Sequence, residues 1–151
     1  MAHIRNIDDV EMAPVQMEGV KGATMAMMVG RADGAPHFAM RAFRVEAGGH
    51  TPRHHHDYEH EVFIVDGGGE ILLGGAYRPI RAGDTIYVPA DEEHQFRAGD
   101  DGMRVGEETM NSTFRKNRTK KSGGDGLRDL TDGQGNNTFE DEKLFDGINR
   151  D

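Results

Sequence analysis

The first 110 residues of this 151-residue chain predict an all-β sandwich or barrel, and three observations carry the prediction. Short apolar runs recur at close spacing. The segments between them are built from glycine, proline and aspartate, residues that supply positive φ, a fixed φ, or a side chain that bonds its own backbone. No stretch before residue 110 repeats its apolar residues at helical spacing, so the runs read as strands.

In chain order, TMAMMV predicts a strand near 24–29 and HFAMRAFRVE one near 37–46, which AGGHTP ends. EVFIVD (61–66) and EILLG (70–74) are divided by GGG. AYRPIR (76–81) is divided from TIYV (85–88) by RAGD, and PADE separates TIYV from EHQFR (93–97). After AGDD a last strand is expected over 102–108, with no apolar pattern beyond Val105. Met25, Met27 and Met28 read as core filler. The domain therefore occupies 1–110. The tail, 111–151, has seven large apolar residues in 41, too few to offset the ordering entropy of an independent fold. Within it, FEDEKLFDGI (139–148) suggests at most a short amphipathic helix.

Charge is uneven. Residues 1–110 carry 10 Lys and Arg against 19 Asp and Glu, whereas 111–151 carry 8 against 8. An acidic main body argues against nucleic acid as a partner. The basic stretch FRKNRTKK (114–121) reads as part of a solvated tail rather than a nucleic-acid arm. The chain has no cysteine, which excludes disulfides, thiolate metal sites and a cysteine nucleophile. No run has the ~20 apolar residues of a membrane span and none has signal-peptide length, so the expectation is a cytoplasmic protein without a membrane partner.

The histidines are more telling. Four of the eight lie in TPRHHHDYEHEVF, residues 51–63. On an extended strand His54 and His56 point to one face and His55 to the other. His60 opens the next strand, and His94 follows 34 residues later, just beyond GDTIYVPADEEH. Ligands far apart in sequence that share one pleat face are how a sheet builds a metal site, and neutral imidazole suits Mn, Fe, Ni, Cu or Zn. Parity places His60, Val62 and Ile64 on one face and Glu61, Phe63 and Val65 on the other, so either His60 or Glu61 could join the set. Arg41 shares parity with Phe43 and Val45. If these face inward, Arg41 either meets a substrate carboxylate or forms an internal ion pair with a glutamate. Tyr87 is either a donor to a substrate oxygen or a packing residue. Phe43, Val62, Ile64 and Phe96 are candidate cavity walls.

Two spacings resemble a known family. Gly48-(x)5-His54-x-His56-(x)4-Glu61-(x)6-Gly68 is similar to the first cupin motif, and Gly83-(x)5-Pro89-(x)4-His94 to most of the second. Asp91 stands where the second motif has glycine, and Ala98 where it has asparagine. The resemblance implies a jelly-roll-like barrel holding one divalent transition metal, with His54, His56, His60 and His94 as ligands and Glu61 the alternative to His60. It also implies a homodimer. An all-histidine set leaves the ion's 2+ charge uncompensated and so favours a small anionic molecule. An octahedral metal with open positions is expected over structural zinc. The function expected is that of a metal-dependent decarboxylase, dioxygenase or lyase on a small carboxylate or oxygenated substrate. A non-catalytic binding module and a sugar isomerase or epimerase are the alternatives.

Overall fold

The computed structural model describes residues 1–110. Seven strands run in chain order: β1 (Ala13–Pro14), β2 (Lys21–Val29), β3 (Phe38–His50), β4 (His60–Leu73), β5 (Ala76–Arg81), β6 (Thr85–Val88) and β7 (Gln95–Met110). They form one antiparallel sheet in the order β1-β2-β3-β7-β4-β5, with β6 added to β4. A single 3-10 turn, Arg31–Asp33, is the only helical element among the described residues. The expected all-β fold is what forms. No helix among these residues is long and apolar enough to cross a membrane. The expectations for 111–151 fall outside the described residues.

The inner face gathers one core. Ala23 from β2, Val45 from β3, Val62, Ile64 and Ile71 from β4, Ile80 from β5, Val88 from β6, and Phe96, Met103 and Val105 from β7 pack into a continuous buried cluster. Period-2 alternation puts them there. On β4, His60, Val62 and Ile64 are buried, while Glu61, Phe63 and Val65 face out.

Two segments that read as turns are strand. The GGG between 66 and 70 lies inside β4, and AGDD lies inside β7. The two strands cross closely here. A Cβ on Gly69 would sit 2.0 Å from the Arg97 carbonyl oxygen, and one on Gly67 would sit 2.1 Å from that of Gly102. Glycine is needed for backbone approach as well as for a bend, with register shifts on both sides of Gly67. Likewise β3 runs on through Ala47-Gly48-Gly49 to His50.

The closing strand is also longer than its apolar pattern suggests. β7 continues to Met110, paired with β3 on one side and β4 on the other. Its inward positions after Val105 are Glu107 and Thr109, 6 % and 1 % exposed. The alternation persists while the apolar character does not, because these positions lie at the polar end of the barrel.

Candidate metal centre

His54 precedes β4 and His94 precedes β7, and the two are joined backbone to backbone. His54 N–H donates to the His94 carbonyl at 3.2 Å, and His94 N–H donates back at 2.9 Å. This bridge unites the two sequence motifs and sets the rings 4.8 Å apart. His56 lies 5.3 Å from His54 and 4.9 Å from His94 by ring centroid. One ligand atom from each of His54, His56 and His94 can be chosen so that all lie within 4.8 Å of one another, a cluster that could hold a metal ion.

Second partners fix the tautomers. His56 Nδ1 meets the Tyr58 carbonyl at 2.8 Å and His94 Nδ1 the Glu92 carbonyl at 2.8 Å. As donors to carbonyls, both Nδ1 atoms carry the proton, which leaves each Nε2 lone pair for another ligand. The Tyr58 ring stacks on His56 at 3.8 Å. His56 Nε2 is buried and has no hydrogen-bond partner among the described residues, which is costly unless an ion uses it. Burial, then the neighbouring histidines, pushes His54 down from 6.5 to about 3 and lowers His56 as well. Burial also lowers His94, against the pull of the Glu92 carbonyl. The imidazoles are thus held neutral, the form a metal binds.

A turn conformation holds His94 in place. Asp91 has φ +66°, the left-handed region, and its N–H donates to the His56 carbonyl at 2.6 Å. That φ is what glycine adopts without strain at this motif position. Aspartate is among the few other residues that accept it.

His60 points into the barrel beside the cluster, its ring 4.4 Å from His56 and 5.3 Å from His94. Its Nδ1 lies 2.6 Å from Glu107 Oε1. Glu61, the alternative, faces outward between Glu59 and Glu108. Partial burial, then those two carboxylates, raises its pKa. Arg41 is inward and buried, as its parity with Phe43 and Val45 indicated, and forms the internal ion pair: its guanidinium bonds Glu107. Burial alone would raise the Glu107 pKa; the Arg41 charge, with the hydrogen bonds from His60 and Arg41, reverses that and holds it well below the usual carboxylate range. Glu107 was absent from the sequence-derived site, yet its parity with Met103 and Val105 marks it as inward.

Tyr87 is not in the cavity. It is 58 % exposed and its hydroxyl donates to Glu59, because Ile86 and Val88 flank it while Tyr87 itself pairs with outward Glu61. Of the expected walls, Phe43 and Phe96 line the cavity with Val15, Met17 and Val105, whereas Val62 and Ile64 belong to the core behind it. His55 is exposed, as the pleat requires. The cavity holds about 50 Å³, room for a few water-sized groups, and His54, His60, His94, Arg41 and Glu107 all border it.

Residues 41–105 match the family model described as a cupin domain. The polyketide cyclase RemF from Streptomyces resistomycificus superposes with a TM-score of 0.69 at 28 % identity, over 73 % of this chain and 80 % of that one. The chain belongs to the cupin superfamily. As a cupin it is also 36 % identical over 59 residues to the 1-methylthio-D-xylulose 5-phosphate methylsulfurylase of Rhodospirillum rubrum, covering 39 % of this chain and 38 % of that protein. It is 32 % identical over 89 residues to the dimethylsulfoniopropionate lyase DddW of Ruegeria pomeroyi, covering 58 % of this chain and 51 % of that one. The cupin thus matches between about a third and a half of the length of these two relatives.

Proposed function

We propose that this cupin is a metal-dependent enzyme of lyase, decarboxylase or dioxygenase type, acting on a small carboxylate or similarly oxygenated anion. The observation that carries the proposal is the set of neutral imidazoles converging beside a carboxylate already committed to Arg41 and His60. His54, His56, His60 and His94 would hold one divalent transition metal, Mn, Fe, Ni, Cu or Zn. A metal held so supplies Lewis-acid polarisation and a template for orienting the substrate. Four neutral ligands leave its charge unreduced, and Glu107 does not cancel that charge because Arg41 pairs with it. The polar end of the cavity is therefore positive and recruits an anion. The walls, Phe43, Phe96 and Val105, exclude water around the apolar part of the substrate. With a volume of about 50 Å³ the cavity accepts a head group rather than a large ring system. Two relatives are named for a sulfoniopropionate and a sugar phosphate, each bearing an anionic group, and one of them is named a lyase, which supports the same class.

The test is metal analysis of protein purified without chelators. Assays for decarboxylation, elimination and oxygen uptake on a panel of small carboxylates follow, with His54→Ala as the blank. Turnover that requires the loaded metal is expected. Protein that purifies metal-free and shows no thermal shift with any of the five ions would overturn the proposal. Stable metal binding with no turnover on the panel would favour the non-catalytic binding module.

A further inference from the structure

The outer face of the sheet, opposite the histidines, has its own character. Met40 of β3, Phe63 of β4 and Tyr87 of β6 are 43 %, 49 % and 58 % exposed, and they border an open groove of about 640 Å³. Its floor includes Gly106, where a side chain would meet open space. Glu61 and Glu108 face each other in register across β4 and β7, and Glu59 is joined to the rim by the Tyr87 hydroxyl at 3.2 Å. Among the described residues no lysine or arginine bridges to these three glutamates. An apolar groove rimmed by unneutralised carboxylates suits a segment that is both basic and aromatic.

Such a segment follows β7 in the sequence. β7 ends at Met110, opposite Phe38 and two residues beyond Glu108. Four residues later the sequence reads Phe114-Arg-Lys-Asn-Arg-Thr-Lys-Lys121, five basic side chains in eight with one aromatic. We propose that residues 114–121 of this chain dock across the outer groove, Phe114 against Met40 and Phe63 and the basic side chains against Glu59, Glu61 and Glu108. The reach is sufficient. Four extended residues span ~13 Å, whereas the two strand spacings from β7 to β6 are ~10 Å. A second copy of the chain suits this face less well. A two-fold contact would set the Glu61 and Glu108 rows of both copies against each other. The short tether further favours the chain's own segment, since it holds that segment near the groove at an effective concentration of order millimolar.

The absence of cysteine allows a clean trap. In the full chain, Tyr87→Cys and Phe114→Cys are introduced together, and disulfide formation is followed under mild oxidant by non-reducing gel and mass spectrometry. Circular dichroism establishes that the barrel is intact; Tyr87 is an exposed position. An intrachain disulfide is expected, forming roughly tenfold more slowly when Glu61→Gln and Glu108→Gln remove two ion pairs. In the unsubstituted protein, amides 114–121 should be protected from hydrogen exchange, with that protection lost in high salt. Equal trapping rates with and without the two carboxylates would overturn the proposal. So would disulfides formed only between chains, which would assign the groove to a second copy, or unprotected amides in 114–121.

Discussion

Replacing Glu107 with methionine tests the energetic reading of the cavity wall. Arg41 is 4 % exposed and Glu107 6 %, so removing the carboxylate leaves a buried guanidinium facing a methyl group. Breaking one side of a buried pair costs about 3–5 kcal/mol. For a domain of about 110 residues, that corresponds to a fall of roughly 10–20 °C in melting temperature. His60 also loses its Nδ1 partner, and loss of such a partner typically weakens metal affinity about 10–100-fold. Thermal denaturation by circular dichroism, with and without added metal, reads the first quantity, and competition with a chelating indicator reads the second. The double variant Arg41→Met/Glu107→Met separates pairing from general disruption. It should recover at least ~2 kcal/mol relative to the sum of the single variants, as contacting partners do. If Glu107→Met melts within about 3 °C of the parent protein, or the two single costs simply add, Glu107 is not what makes Arg41 tolerable in the interior.

His60→Ala should empty the metal centre as thoroughly as His54→Ala, while His55→Ala and Glu61→Gln keep it, all measured by metal content. The opposite pattern, with Glu61→Gln metal-free and His60→Ala loaded, would reassign the ligand. The chelator-treated protein should lose stability as pH falls from 6.5 towards 5. His54 titrates at 6.5 unfolded but about 3 folded, so below 6.5 the unfolded chain takes a proton that the folded chain refuses. Unfolding free energies from urea titration should drop by up to ~1.4 kcal/mol per pH unit for each such histidine, and a flat profile over that window would refute the neutral cluster. Asp91→Gly should be neutral or stabilising by up to ~1 kcal/mol, and Asp91→Val clearly destabilising, because φ +66° burdens a β-branched residue most. Tyr87→Phe should shift stability by less than ~0.5 kcal/mol and leave metal content unchanged, since the hydroxyl lies on the exposed face.

Much of the centre could be read from parity alone. His54 and His56 on one pleat face, His60 with Val62 and Ile64, and Arg41 with Phe43 and Val45 all point where a period of two sends them. What parity could not show was which strands become neighbours. Glu107 became part of the site because β7 inserts between β3 and β4, bringing it to Arg41 and His60, partners 66 and 47 positions away in sequence. The end of the apolar pattern after Val105 resembled the end of a strand, although polar residues at inward positions are what a polar barrel end requires. Tyr87 was drawn towards the cavity by its nearness to the second motif. Its parity against Ile86 and Val88 gave the opposite sense, and the pairing with Glu61 settles it. The glycine runs were misread because close backbone approach and turning favour the same residue.

The backbone bridge between His54 and His94 bears on how the molecule assembles. His54, His56 and His60 lie within seven residues and can gather around an ion in a largely unfolded chain. His94, 40 positions beyond His54, joins only when that intervening loop closes, an entropic cost of about 3 kcal/mol for a flexible chain. An ion bound early would thus be held by an incomplete set, and its affinity would rise sharply at the step that zips β4 against β7. Because the sheet is dominated by such distant pairings, that step is slow compared with local helix formation. With the metal proposed above, complete ligation and barrel closure would be one late event, and a newly made chain would fix its metal by whichever ion is at hand when the two motifs meet.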